Sequence, residues 1–199
     1  MNNIVYEFDG DVYLNLTNKC PCRCDFCLRK NGDGIGQSGS LWLGGDPTLD
    51  EIKSAIDSFD FAGRTDVILC GYGEPTCALD NLLDICRILK DRGFTIRLNT
   101  NGLSDLINGR PTASELCDTV DIFSISLNAP TAEKYDAVVH SDFGLAAFDA
   151  VLKFASECKR LGKKVKFTVV DVISEEDIDA CRSLCEQLDI PLRVREYID

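Results

Sequence analysis

Short runs rich in β-branched and apolar residues alternate along this chain with stretches whose apolar residues recur at helical spacing. The runs are residues 12–17 (VYLNLT), 66–71 (DVILCG), 95–100 (TIRLNT), 121–127 (DIFSISL), 164–170 (KVKFTVV) and 191–198 (PLRVREYI). Amphipathic stretches fall at Thr48–Phe59, Asp80–Asp91, Ser114–Cys117, Gly144–Leu161 and Ser174–Leu188. Helix starts are marked: Pro47-Thr48 precedes Asp50 and Glu51, and Ser174 is followed three residues on by Asp177, both patterns that satisfy first-turn N–H groups. Repeated strand–helix alternation predicts right-handed βαβ units and a parallel sheet covered by helices. A closed eight-stranded barrel takes about 250 residues, whereas this chain has 199 and six such runs. The pattern therefore predicts an α/β fold: a single-domain, open, partial (β/α)6 barrel over residues 1–199, with a doubly wound sheet as the competing architecture.

The strand interiors add a second layer. Ser124, Ser126 and Asn128 share one face of the fourth run, opposite Phe123, Ile125 and Leu127. Arg97, Asn99 and Asn101 share a face in the third, Lys166 and Thr168 in the fifth, Arg193, Arg195 and Tyr197 in the sixth. Strands covered on both sides by apolar layers read as continuous apolar runs; these do not. If the apolar faces meet the helices, the polar faces line a barrel interior that must offer a ligand hydrogen-bonding partners.

Composition narrows the chemistry. The single histidine, His140, rules out zinc sites with several histidine ligands and leaves one residue through which any Ser-His-Asp relay would run. With 21 Lys+Arg against 33 Asp+Glu, the net charge of −12 disfavours duplex nucleic acid or an anionic membrane as partner. No stretch approaches the ~20 apolar residues of a membrane span, and the first residues carry no signal-peptide pattern. The chain reads as cytoplasmic, where its eleven cysteines serve as thiols, metal ligands or redox groups rather than a disulfide framework.

Four of those cysteines crowd into the loop after the first run, Cys20-Pro21-Cys22-Arg23-Cys24-Asp25-Phe26-Cys27. Packing does not explain such density in a loop. Structural zinc would want a second paired knuckle, which the chain lacks, and ferredoxins add a distant cysteine to closely spaced ones. Cys20, Cys24 and Cys27 make CxxxCxxC, three thiolates for a four-iron cluster with one iron open to another ligand. Cys22 lies off the spacing, Cys70 and Cys77 flank a glycine turn, and Cys86, Cys117, Cys158, Cys181 and Cys185 read as small apolar residues on helix faces. The glycine-rich segment 31–45 around Trp42 follows directly, a long loop of the kind that is functional or disordered.

CxxxCxxC with Phe26 before its last cysteine resembles the signature of the radical S-adenosylmethionine (radical SAM) superfamily. Gly71-Tyr72-Gly73-Glu74-Pro75-Thr76 resembles its GGEP-type motif after the second strand, and Asn99-Thr100-Asn101-Gly102 the end of its third. The stretch LTNKCPCRCDFCLRKNGDGIG followed by SLWL is similar, more narrowly, to the TatD-associated radical SAM proteins. The resemblance implies a [4Fe-4S] cluster on Cys20, Cys24 and Cys27 and S-adenosylmethionine on its open iron. Reductive cleavage would give methionine and a 5′-deoxyadenosyl radical that takes hydrogen from an unknown substrate. It further implies cofactor contacts from Phe26, Gly71, Tyr72, Gly73, Glu74, Asn99, Asn101, Ser126, Asn128, Arg193 and Arg195. A flavodoxin- or ferredoxin-like electron donor, and a protein substrate or partner at the open barrel mouth, complete the expectation. The alternative is an iron–sulfur electron carrier or redox sensor that does not cleave S-adenosylmethionine.

Overall fold

The computed structural model describes residues 3–198. Seven strands form one sheet in chain order: β1 (Val5–Phe8), β2 (Asp11–Leu14), β3 (Asp66–Leu69), β4 (Thr95–Thr100), β5 (Ile122–Ser126), β6 (Lys164–Val170) and β7 (Leu192–Arg195). From β2 to β7 every pairing is parallel. The helices α1 (Leu49–Ser58), α2 (Leu79–Asp91), α3 (Ser104–Asn108), α4 (Ala113–Thr119), α5 (Ala132–Val139), α6 (Ala146–Arg160) and α7 (Glu175–Leu188) fill the crossovers. The sheet is open, since β1 and β7 do not pair.

The six predicted runs became β2 to β7, and one strand escaped prediction. β1 pairs antiparallel with β2 through the two-residue turn Asp9-Gly10, both at positive φ (50° and 81°). An Asp-Gly pair between alternating residues is a strong short hairpin signal, because both positions need left-handed backbone. Ile4 and Tyr6 are buried while Glu7 is exposed, an alternation too short to stand out in the sequence. α3 and α5 also lacked a predicted counterpart; they are only five and eight residues long.

Helix starts follow the sequence signals. Thr48 and Glu51 form a reciprocal capping box on α1, and Ser174 accepts from the Asp177 N–H on α7. The apolar sheet face, with Leu98, Phe123, Ile125, Phe167 and Val169 fully buried, meets helices such as α2 and α6. Phe123 and Phe154 pack edge to face with centroids 6.0 Å apart. Cys86, Cys117, Cys158, Cys181 and Cys185 lie in this core, small apolar groups as expected. The opposite face carries the polar residues.

The turn after β4 shows how tightly strand ends are packed. Gly102 has φ +77°, and a Cβ there would stand 2.8 Å from Ile125 Cγ2 and 3.3 Å from Val151 Cγ1. Gly102→Ala therefore combines left-handed strain with overpacking and should cost about 2–4 kcal/mol, measured by denaturant unfolding; unchanged stability would show that the turn relaxes freely.

Candidate functional site

Past the last ladder residue of β2 the chain bends into the cysteine loop, and this loop is held from three sides. Backbone N–H groups of Arg23 and Asp25 donate to the carbonyls of Val139 and Val138 at the end of α5, both at 3.0 Å. Thr17 accepts from Lys19 N–H (3.0 Å) and donates to Asp46 (2.7 Å). Arg29 reaches back across the loop, its Nε donating to Cys27 Sγ at 3.2 Å and its terminal nitrogens to the carbonyls of Asn18 and Cys22, both at 3.3 Å. Arg29 is thus the loop's internal strut. His140, at φ 49° where α5 ends, places Nε2 3.1 Å from Asp25, which fastens the loop's outer edge.

The glycine turn after β3 presses directly on this loop. A Cβ on Gly73 would lie 2.2 Å from the Thr17 carbonyl oxygen and 2.8 Å from that of Lys19, and one on Gly71 2.0 Å from Asn15 Oδ1. Any side chain at either position would drive the two segments apart. Glu74 N–H then donates to Lys19 O at 2.8 Å.

Glu74 itself is 4% exposed. Its Oε1 accepts from Thr76 N–H (3.1 Å), Thr76 Oγ1 (2.8 Å) and Thr100 Oγ1 (2.7 Å), and Oε2 from the Asn101 N–H (2.7 Å). Burial pushes its carboxyl above the usual carboxylate range, opposed by these same hydrogen bonds. One carboxylate thus joins the ends of β3 and β4.

The three motif thiols come together. Cys20, Cys24 and Cys27 line a cavity of about 210 Å³, with Phe26, Gly71, Tyr72, Asn101, Ser126, Asn128 and Arg195 among its walls. An adjoining cavity of about 230 Å³ shares the cysteines, Tyr72, Asn101, Ser126 and Arg195 and adds Gly73, Glu74 and Asn99. Arg193 lines neither; it opens on a third, polar cavity between the strands. Tyr6 of the unforeseen β1 also walls the first two cavities and donates to Cys70 O at 3.2 Å.

The thiols differ in protonation. The side chain of Cys22 interacts with those of Cys20 and Cys24, which raises its own thiol pKa, so that it keeps its proton, and lowers theirs. Cys70 and Cys77 are raised by burial, Cys77 to about 12. Thiolate is the metal-ligating form, and the site favours it at Cys20 and Cys24. Among the described residues no three Cys, His, Asp or Glu side chains converge closely enough to hold one metal ion. Thiolates that each serve a different iron of one cluster need no such convergence. The donor set is all sulfur, as four-iron clusters take, and it faces a cavity with room for further groups.

The segment 31–45 folds over the same region without helix or strand. Asn15 and Asn18 donate to the carbonyls of Leu41 and Leu43, both at 2.7 Å, and Tyr72 donates to Gly32 O at 2.8 Å. Trp42 packs edge-on against Tyr72, centroids 5.0 Å apart. Asn31 donates to Tyr197 Oη (3.0 Å) and Ile198 O (2.9 Å); this joins the segment to the residues after β7.

Comparison with known proteins agrees on the family. Residues 14–187 match the Radical SAM superfamily, and the chain belongs to it. It is 28% identical over 146 residues to a Methanocaldococcus jannaschii protein provisionally named a glycyl-radical enzyme activating enzyme, a match covering 72% of this chain and 58% of that one. It is 26% identical over 183 residues to the tungsten-containing aldehyde ferredoxin oxidoreductase cofactor-modifying protein of Pyrococcus furiosus, covering 89% and 47% respectively. The chain thus spans about half the length of such relatives. Among solved structures, Streptococcus suis SuiB bound to S-adenosylmethionine shares the fold, with TM-score 0.70 and 20% identity over 94% of this chain and 40% of that one. Among the described residues no helix is long and apolar enough to cross a membrane.

The Glu74 arrangement yields a sharp test. In Glu74→Gln an NH2 group must face the Asn101 N–H or the two groups of Thr76, leaving donor against donor. The expected loss is about 2–3 kcal/mol, or roughly 4–12 °C in Tm for a chain of this size. An unchanged Tm would show that the carboxylate does not join the two strand ends.

Proposed function

We propose that this chain is a radical SAM enzyme whose Cys20, Cys24 and Cys27 hold a [4Fe-4S] cluster, with S-adenosylmethionine in the two adjoining cavities. When bound, these groups supply one-electron cleavage of the sulfonium to methionine and a 5′-deoxyadenosyl radical that abstracts hydrogen from a substrate. The observation that carries the reading is the meeting of CxxxCxxC, the glycine turn and Asn101 around one cavity at the carboxyl ends of the strands, where parallel α/β barrels keep their chemistry.

The protein's own groups then divide the work. Cys22 keeps its proton and offers its one S–H to the ligand sulfur on either side, and Arg29 donates to Cys27; both offset charge on the cysteines without binding metal. The turn Gly71 to Gly73 brings backbone close to the cofactor, Glu74 fixes that turn, and Phe26 offers a flat apolar wall. Asn99, Asn101, Ser126 and Asn128 offer amide and hydroxyl groups, and Arg195 a guanidinium fork suited to a carboxylate. Arg193 is left to the third cavity. The segment 31–45, with Trp42 on Tyr72, shields the mouth from water.

In this reading the domain is the single radical SAM core, of the TatD-associated type by its first loop. The reductant is a flavodoxin- or ferredoxin-like protein, and the compartment is the reducing cytoplasm. An electron-carrier reading would need Cys22 or Cys70 as fourth ligand, and both line the same cavity.

Anaerobic reconstitution followed by dithionite and S-adenosylmethionine should release 5′-deoxyadenosine. A protein carrying a full cluster that releases none, and whose reduced-cluster paramagnetic spectrum is unmoved by S-adenosylmethionine, would overturn the reading. Cys24→Ala should lose the cluster's visible absorption while Cys22→Ala keeps it; loss in both variants would favour the electron carrier with Cys22 as its fourth ligand.

A further inference from the structure

The third cavity, about 560 Å³, lies between the polar faces of β2, β4, β5, β6 and β7. Its walls carry Arg97, Lys166, Arg193 and Arg195, four cations in a chain of net charge −12. Strand register explains the crowding: Ser124 sits opposite Asn99 on one side and Lys166 on the other, and Thr168 opposite Arg193. Neighbouring strands lie about 4.8 Å apart, within reach of long side chains across two or three strands.

Those four cations outnumber the acids that line the cavity with them. Most basic side chains of this protein sit in ion pairs, yet among the described residues Lys166, Arg193 and Arg195 sit in none. Arg97 meets Asp11 at 3.4 Å, but its Nε is buried without a partner, as is Asn99 Oδ1. The acids that share the cavity's lining, Asp9, Asp11 and Glu196, are solvent-exposed, as is Arg193, whereas Arg97, Lys166 and Arg195 are half-buried. Lys166 has its ammonium pKa lowered by burial and then by Arg97, Arg193 and Arg195. Half-buried like charges destabilise a fold unless a ligand neutralises them.

We propose that this cavity binds an anionic group of the substrate, a phosphate or a carboxylate, between Lys166, Arg193 and Arg97. Arg195 and Asn99 wall both this cavity and one of those beside the cysteines, so a molecule anchored here extends toward the motif thiols. Calling the occupant a substrate rests on the radical SAM reading above; the anion site itself does not. Guanidinium forks match the planar or tetrahedral oxygens of such groups, and the volume suits a small molecule.

Calorimetric titration of inorganic pyrophosphate, and separately of malonate, into the reconstituted protein at low ionic strength tests this. At least one should bind saturably, with a Kd on the order of 0.1 mM; pyrophosphate alone assigns a phosphate, malonate alone a carboxylate. Lys166→Met and Arg193→Met should each weaken binding at least tenfold, whereas Lys153→Met, on the exposed side of α6, should not. Because the removed cations repel one another, the first two variants should keep or raise Tm, which separates lost binding from lost folding. Cys24→Ala should still bind the anion, so failure of the cluster reading and failure of this one are told apart. Binding of neither probe, or binding unmoved by both cavity variants, would overturn the proposal.

Discussion

The buried carboxylate of Glu74 is the constraint on which the site depends. It accepts hydrogen bonds from Thr76 and Thr100 and from the Asn101 N–H, and so fixes where the chain leaves β3 and where it leaves β4. A buried carboxylate costs free energy unless it accepts hydrogen bonds, and this one accepts four. With the turn fixed, the side-chain-free edge of Gly73 can lie against the carbonyls of Thr17 and Lys19, and the cysteine loop has one place to go.

Everything at the mouth is referred to that junction. Arg29 ties Cys27 to the carbonyls of Asn18 and Cys22. Asn18 ties the same loop to Leu43, with its amide donating at 2.7 Å and its carbonyl accepting at 3.1 Å. Tyr72, one residue before Gly73, holds Gly32 and Trp42. A shift of the glycine turn would therefore move the cysteine loop and the segment 31–45 together. Contacts of this sort suit a site that must keep several ligands in register.

How far this was legible from sequence depended on range. The parallel sheet, the alternation of six strand runs with five helical stretches and the convergence of motif residues follow from periodicity and spacing, because strand ends are consecutive landmarks. The cation-lined cavity also follows, since Arg97, Lys166, Arg193 and Arg195 sit at alternate positions of strands whose other face is apolar. Glu74 reads as a ligand group by motif, and its bonds to Thr76, Thr100 and Asn101 give it a joining role besides; a distance of 26 or 27 residues in sequence hides that. Arg29 was hidden for a related reason: an arginine beside cysteines on a loop looks solvated until the loop's curvature turns it inward. β1 was missed because four residues offer too little alternation, although Asp9-Gly10 carried the signal.

The eleven thiols show that local surroundings, not residue type, decide which sulfur is reactive. Cys86, Cys181 and Cys185 are pushed up to about 12, about 12 and about 11, in each case chiefly by burial, and stay protonated among apolar neighbours. Cys77, beside the glycine turn, is held up by burial and then by Glu74. Cys20 and Cys24 are half-buried, but each is lowered chiefly by its interaction with Cys22 and lies within the field of Arg29. The same burial that silences a lone thiol is outweighed where a donor and a guanidinium face the sulfur. Cys22 thus has a physical role at its off-motif position: two residues after Cys20 and two before Cys24, its single S–H can serve the sulfur on either side.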